Sequence, residues 1–334
     1  MKKLHQLSDH QRQALVVFRR ETIMFPKFEE AYSRVSEILE QYRQIGLAGT
    51  IAVYGESGCG KTTVCKVIEG ENPRVVDAEH DTVPVLYASI PAMASIGSVA
   101  ESLLTKLRDP LPSKGTTSAL TNRIVKQIRG CGVCLVILDE LQHVHDRGQS
   151  PSIYRVTDWI KEVLDKIDCS VALVGIPRAE MLVETNDQYR RRFSASVALD
   201  RMTLESDESE ADFIALTVGM IEALPLECDL ELSVESQAAV ERLYYATDGR
   251  VGYLASLLYR ALLLAFLSDA RSISRATLER AFTEQVWRNG VGKLNPFHDD
   301  FCGRRLDKPG EPFADAYPVG RGRRRSSSAD GDAR

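Results

Sequence analysis

Eight residues, Gly55-Glu56-Ser57-Gly58-Cys59-Gly60-Lys61-Thr62, have the types and the spacing to hold a polyphosphate. Glycines at 55, 58 and 60 let the backbone take φ > 0 and approach an anion closely, so that successive N–H groups converge at a helix N-terminus. Lys61 would reach the β- and γ-phosphates as a point charge, and the Thr62 hydroxyl would enter the shell of a Mg²⁺ ion. Gly55 to Thr63 are therefore the candidate contacts for ATP, with Mg²⁺ as its metal. A second constellation closes the apolar run Gly132-Val133-Cys134-Leu135-Val136-Ile137-Leu138, which ends in Asp139-Glu140. Two carboxylates after such a run are costly to bury without a cation nearby. At the C-terminal end of a central strand they fall on the rim where open α/β sheets collect ligands. Asp139 would hold the Mg²⁺ through water, and Glu140 would orient and deprotonate an attacking water.

Such groups need a strand, a loop and a helix in that order, and the flanks supply them. Thr50 to Tyr54 is apolar and β-prone, and Thr63 to Ile68 opens a helix. The alternation continues: Pro84 to Ile90 reads as a second strand, Ile96 to Leu107 and Ser118 to Arg129 as helices, Ser152 to Ile167 as a helix, Ser170 to Gly175 as a fourth strand, and Ser196 to Leu199 as a short fifth. Strands alternating with helices of this length argue for a mainly parallel sheet covered on both faces. Ahead of it lie a short polar helix, Asp9 to Arg20, and an amphipathic one, Phe28 to Gly46. Phe25, Pro26 or Tyr32 could border an adenine pocket, although core packing accounts for them better. After Asp207 the alternation stops and only helical patterns follow, near 207, 236–246, 250–267 and 275–286, with Ser274 as an N-cap and Ile273 stapling onto Leu278. The expected domains are a helical segment packed on the core (1–48), the nucleotide-binding domain (49–204), a helical lid (205–290) and a disordered Gly/Pro/Arg-rich tail (291–334).

With 334 residues, 44% hydrophobic and 27% charged, the chain can build two cores. A formal charge of −5 argues against wholesale coating by nucleic acid but permits a local basic strip. Seven cysteines without zinc spacing fit a reducing cytosol, and Cys131 and Cys134 run into a strand as small core residues. No apolar core follows the N-terminal lysines, and Tyr253 to Leu267 is too short to span a bilayer and carries Arg260, so no membrane is expected.

GESGCGKT, then CLVILDE, then a strand ending in Gly175-Ile176-Pro177, then the RRRF box at Arg190 to Phe193, then a lid opening Asp248-Gly249-Arg250-Val251-Gly252, resembles an AAA+ ATPase. Over about Glu21 to Val286 the order further resembles the TniB and TnsC type of transposition regulator. The resemblance implies an α/β fold, a P-loop AAA+ parallel sheet of order 5-1-4-3-2 sandwiched by helices, with a small all-helical lid. It also implies a prokaryotic, cytoplasmic ATPase that assembles as rings or filaments on duplex DNA and recruits a DDE transposase to a target chosen with a further protein or complex. Arg192 sits where the family carries an arginine finger for the neighbouring subunit's γ-phosphate, with Arg191 and Arg190 as alternatives, and Arg250 matches the lid arginine that senses nucleotide. Lys106, Arg108, Lys114, Arg123, Lys126 and Arg129 are the candidate DNA contacts, each of which alone reads more readily as a solvated face. One departure stands out: many AAA+ proteins follow the fourth strand with Asn or Thr to read the γ-phosphate, whereas Gly175, Ile176 and Pro177 offer no side-chain donor. Hydrolysis is therefore expected to be slow. The competing readings are an initiator or helicase loader, which would want a winged-helix module after the lid, and a small-molecule P-loop kinase, which would need neither Glu140 nor a trans arginine.

Overall fold

The computed structural model describes residues 4–77, 81–92, 94–144, 151–177, 193, 195–229 and 237–314. Five strands form one sheet: β1 (Thr50–Tyr54), β4 (Val85–Ser89), β5 (Leu135–Asp139), β6 (Ser170–Gly175) and β7 (Ser196–Ala198). Their order is β4-β5-β6-β1-β7 and every pairing is parallel, which is the expected 5-1-4-3-2 read from the other edge. Parallel strands need covered faces, and the side chains divide accordingly. Ile51, Val53, Leu135 and Ile137 face one cluster, while Ala52, Val136 and Leu138 face the other.

The second cluster is closed by α4 (Ile96–Lys106), α5 (Thr117–Gly130) and α6 (Pro151–Lys166), with Leu104, Ile124 and Trp159 at its centre. Ser95 caps α4 and Thr116 caps α5, each by a side-chain oxygen accepting the N–H three residues on. The first cluster runs under α2 (Pro26–Ile45) and α3 (Lys61–Glu71) and on without a break into the lid. The lid comprises α7 (Asp207–Glu222), α8 (Gln237–Thr247), α9 (Val251–Leu267) and α10 (Arg275–Ala281). Its axis is α9, buried at Leu254, Leu257, Leu258 and Ala261 to Leu267. No single helix among the described residues is long and apolar enough to cross a membrane.

Three features differ from the sequence reading. The stretch between α3 and β4 contains a two-stranded antiparallel pair, β2 (Val75–Val76) with β3 (Asp81–Thr82), too short for periodicity to register. A second small pair, β8 (Glu227–Asp229) with β9 (Ser272–Ser274), ties the lid together in parallel. The N-terminal segment does not pack as one unit on the ATPase core: α2 lies against the sheet, but α1 (Asp9–Arg20) lies on α9, with Phe18 buried and Arg19 stacked 5.4 Å from the Tyr259 ring centroid.

The expected disordered tail is also corrected. Residues 291–314 fold back on the lid and bury Phe297, Leu306 and Phe313, apolar residues spaced too widely for any periodic pattern. Asn295, wholly buried, clips the turn: its Nδ2 donates to the carbonyls of Glu279 and Gly290, both at 2.9 Å, and its Oδ1 accepts the Phe297 N–H at 3.0 Å. Residues 315–334, with the arginine run, lie outside the described residues. Phe297→Ala is expected to cost about 3–5 kcal/mol of stability. Urea unfolding should show this loss, whereas the exposed Lys308→Ala should stay within about 0.5 kcal/mol of the parent.

Candidate functional site

The loop between β1 and α3 is shaped by its glycines in two different ways. Gly58 and Gly60 have φ of 83° and 100°, which L side chains rarely adopt, and they turn the backbone N–H groups inward at the start of α3. Gly55 has no such φ; a Cβ there would stand 1.9 Å from the Leu199 carbonyl oxygen, so close passage of the chain leaving β7 demands it instead. Lys61 is 8% exposed and its Nζ donates to the carbonyls of Gly55 at 2.7 Å and Glu56 at 2.8 Å. Burial pulls its pKa below the ordinary lysine range. Those two carbonyls hold the ammonium in place at the start of α3. Cys59, inside the same loop, is pushed up to about 12 by burial and stays a neutral thiol.

Across from the loop, the Asp139 carboxylate is 1% exposed. Its Oδ2 accepts from Thr62 Oγ1 at 2.8 Å and from Tyr87 Oη at 3.0 Å, and its Oδ1 accepts the Glu140 N–H at 2.7 Å. Tyr87 comes from the far edge strand β4, with the Lys66 ammonium 3.8 Å from its ring centroid. Burial and the neighbouring Asp139 raise its pKa, so it remains a hydrogen-bond donor. Glu140 takes φ +62°, a left-handed conformation that costs a non-glycine residue about 1–3 kcal/mol. The turn points its half-exposed carboxylate along the rim, where Oε2 accepts from Gln142 Nε2 and lies 3.9 Å from His143 Nε2. His143 is held in turn by the Ile90 carbonyl, 2.8 Å from Nδ1.

These groups share a cavity of about 650 Å³. Ser57, Gly58, Gly60, Lys61, Thr62, Thr63, Glu140, Gln142 and His143 line it on the side of the loop and β5, and Ile23, Phe25, Phe28, Met220, Val251 and Ala255 line the rest together with Arg19, Arg20, Glu21 and Thr22. A polar loop beside an apolar wall suits a nucleotide. Phe25 and Phe28 are 1% and 2% exposed and pack on each other in the first cluster, so core packing accounts for Phe25. Tyr32 is turned elsewhere and donates to Glu71 at 2.7 Å. The residues fit a Mg²⁺ ion as well, since Thr62 and Asp139 are hard oxygen donors already touching.

The lid meets the loop directly, the Gly252 N–H donating to the Gly58 carbonyl at 2.8 Å. Arg250, expected to sense nucleotide, does not line the cavity among the described residues. Its Nη2 lies 2.6 Å from Glu56 and 3.3 Å from Asp248, because two carboxylates within reach outcompete an open cavity for its charge. Arg201 approaches the same pair, 3.8 Å from Glu56 and 3.6 Å from Asp248. Arg305, from the folded-back segment, grips the wholly buried Asp248 with Nε at 2.5 Å and Nη2 at 2.8 Å. Tyr87, Gln142 and Arg305 were not singled out from sequence; Gln142 alone had a signal, a polar residue two places after Asp139-Glu140.

Arg190, Arg191 and Arg192 lie outside the described residues. Among the basic candidates, Lys106, Arg108, Lys114, Lys126 and Arg129 are exposed, with Arg108 3.3 Å from Asp81 and Arg129 donating to the Lys166 carbonyl at 2.9 Å. Arg123 is withdrawn from that group. It clamps the loop before α5, donating to Asp109 at 2.8 and 3.1 Å and to the carbonyls of Leu111 and Lys114 at 2.6 and 2.7 Å, which occupies four of its five donors. Tyr87→Phe keeps the ring and its packing but removes a donor from a buried carboxylate. The Mg²⁺ concentration needed for half-maximal nucleotide binding is expected to change about three- to tenfold, with the melting temperature nearly constant. An Mg²⁺ titration of fluorescent-nucleotide binding reads this.

The family model for "Bacterial TniB protein" matches residues 14–203. A search of curated protein sequences finds no match. Among solved structures the fold is similar to that of the Aeropyrum pernix ORC2 protein in its ADPNP-ADP complexes, with TM-score 0.57 and 18% identity over 80% of this chain and 70% of that one. It is similar also to the Aeropyrum pernix ORC1 protein solved in complex with DNA, with TM-score 0.60 and 14% identity over 81% and 69% of the two chains. Cdc6p from Pyrobaculum aerophilum is a third such neighbour, at TM-score 0.59 and 14% identity, covering 81% of this chain and 70% of that one. The fold is that of the AAA+ ATPases, and with more than half of its residues matched the chain belongs to the bacterial TniB family.

Proposed function

We propose that this protein is an ATP-dependent, oligomeric, DNA-binding regulator of transposition, which assembles on target duplex, recruits or activates a DDE transposase and is released by slow ATP hydrolysis. The observation that carries the reading is a complete nucleotide constellation, Lys61, Thr62, Asp139 and Glu140 around one cavity, in a TniB-family chain. Mg²⁺ bound to ATP would neutralise charge that develops on the phosphoryl oxygens. Around it, Lys61 would exchange its two carbonyl partners for β- and γ-phosphate oxygens, and Asp139 would orient Thr62 and the metal's waters. Glu140, already aimed along the rim by its left-handed backbone, would take the proton of the attacking water. Arg192 from the adjacent subunit would stabilise the leaving charge.

The similarity to archaeal Orc and Cdc6 structures favours a second reading, an initiator or helicase loader built on the same fold. Capture of the cognate transposase in an ATP- and DNA-dependent manner separates the two. Lys61→Ala should abolish nucleotide binding. Glu140→Gln should bind ATP and persist as an assembled, DNA-bound form, and Arg192→Ala should bind normally while turnover falls by about 10³. Negative-stain images with duplex and a non-hydrolysable ATP analogue, compared with ADP, and steady-state phosphate release check these outcomes; intact turnover in Glu140→Gln would overturn the assignment of the base.

Exposed Lys114 and Lys126 would meet phosphate oxygens, whose contacts carry little sequence information. Affinity for duplex should fall as salt rises, and removing either lysine should lower the slope of log K against log salt by about one. Arg123→Ala should instead act on stability, through the loop it clamps.

A further inference from the structure

Strand β6 ends at Gly175 and is followed by Ile176 and Pro177, none of which has a polar side chain to offer a terminal phosphoryl group. The fold brings one there from a different element. Gln142 belongs to the 3₁₀ turn Leu141–Val144, directly after Asp139-Glu140, and it is 8% exposed. Its Oε1 accepts the Ile176 N–H at 3.2 Å. Its Nε2 donates to Glu140 Oε2.

Those two bonds fix which way the amide points. A backbone N–H can only donate and an ionised carboxylate can only accept, so the oxygen end must face β6 and the nitrogen end must face Glu140. Nε2 carries two hydrogens, and among the described residues Glu140 is the acceptor for just one of them. Gln142 also lines the cavity beside Lys61, Thr62, Glu140 and Ile176. Nε2 borders the space where the outermost phosphate would lie, and among the described residues its second hydrogen has no acceptor, so a phosphate oxygen there would supply one.

We infer that Gln142 is the γ-phosphate contact of this protein, supplying from the turn after β5 the donor that the end of β6 lacks, and linking that contact to both Ile176 and Glu140. The inference rests on the nucleotide reading above. When the terminal phosphoryl is present, Nε2 would bond to it as well as to Glu140. When it is absent, only the Glu140 bond remains, and the amide props the base without a substrate to act on. Gln142 would thereby distinguish ATP from ADP, a task that mere bracing of Glu140 would not perform.

The test uses the full chain and equilibrium binding of two probes, a non-hydrolysable ATP analogue and ADP, each with Mg²⁺. Gln142→Leu keeps volume and burial but removes both polar ends, and it is expected to lose about tenfold in affinity for the ATP analogue while ADP binds as in the parent. Gln142→Glu retains the shape and the acceptor for Ile176, replaces the donor by a negative charge, and should widen the gap further. This second variant decides the matter if Gln142→Leu does not fold. An unchanged ratio of the two affinities, with only turnover reduced, would overturn the phosphate contact and leave Gln142 as a brace for Glu140. A parent protein that binds neither probe would instead overturn the nucleotide reading itself.

Discussion

A carboxylate at 1% exposure inside a five-stranded sheet sets the terms for everything around it. Asp139 is tolerated there because three donors converge on it: Thr62 from the phosphate loop, Tyr87 from the far edge strand and the N–H of Glu140. Each donor fixes something else in turn. Thr62 sets the start of α3 against the sheet, Tyr87 ties the loop to β4, and the Glu140 N–H anchors the residue at which the chain then turns left-handed. The same turn starts the short 3₁₀ segment that returns Gln142 to the end of β6. The contact of Thr62 with the sheet, the turn at Glu140 and the polar wall of the cavity thus follow from one buried charge.

The sheet was readable because its strands are buried on both faces and so appear as unbroken apolar runs, and because a glycine loop and a carboxylate pair mark the ends of two of them. The phosphate loop and Asp139-Glu140 meet as their spacing required. What was not legible depends on contacts between residues far apart in the chain. Tyr87 in a run of strand residues looks like core, and only the register that sets Ser89 beside Asp139 shows that its hydroxyl reaches a carboxylate. Arg250 has the position of a nucleotide-sensing arginine, but no pattern showed that Asp248, Glu56, Arg201 and Arg305 would gather around it.

That gathering joins three parts of the chain: the phosphate loop through Glu56, the lid base through Asp248 and Arg250, and the folded-back segment through Arg305. Glu56, Asp248 and Asp307 balance the guanidiniums of Arg201, Arg250 and Arg305, and a wholly buried Asp248 would be strongly destabilising if left alone. The segment after the lid was read as disordered on its Gly, Pro and Asp content, which is a sound inference about local preference. It misses that Phe297, Leu306 and Phe313 find an apolar surface on the lid, and that Asn295 satisfies the turn between them.

The split of the N-terminal helices has a mechanical meaning. Helix α1 packs on the lid and α2 on the sheet, and Glu21 to Phe25 joins them along the wall of the cavity. A leash of five residues spans at most about 16–18 Å when pulled straight. It therefore caps how far the end of α1 can move from the start of α2, and it does so beside the cavity that Ile23 and Phe25 line.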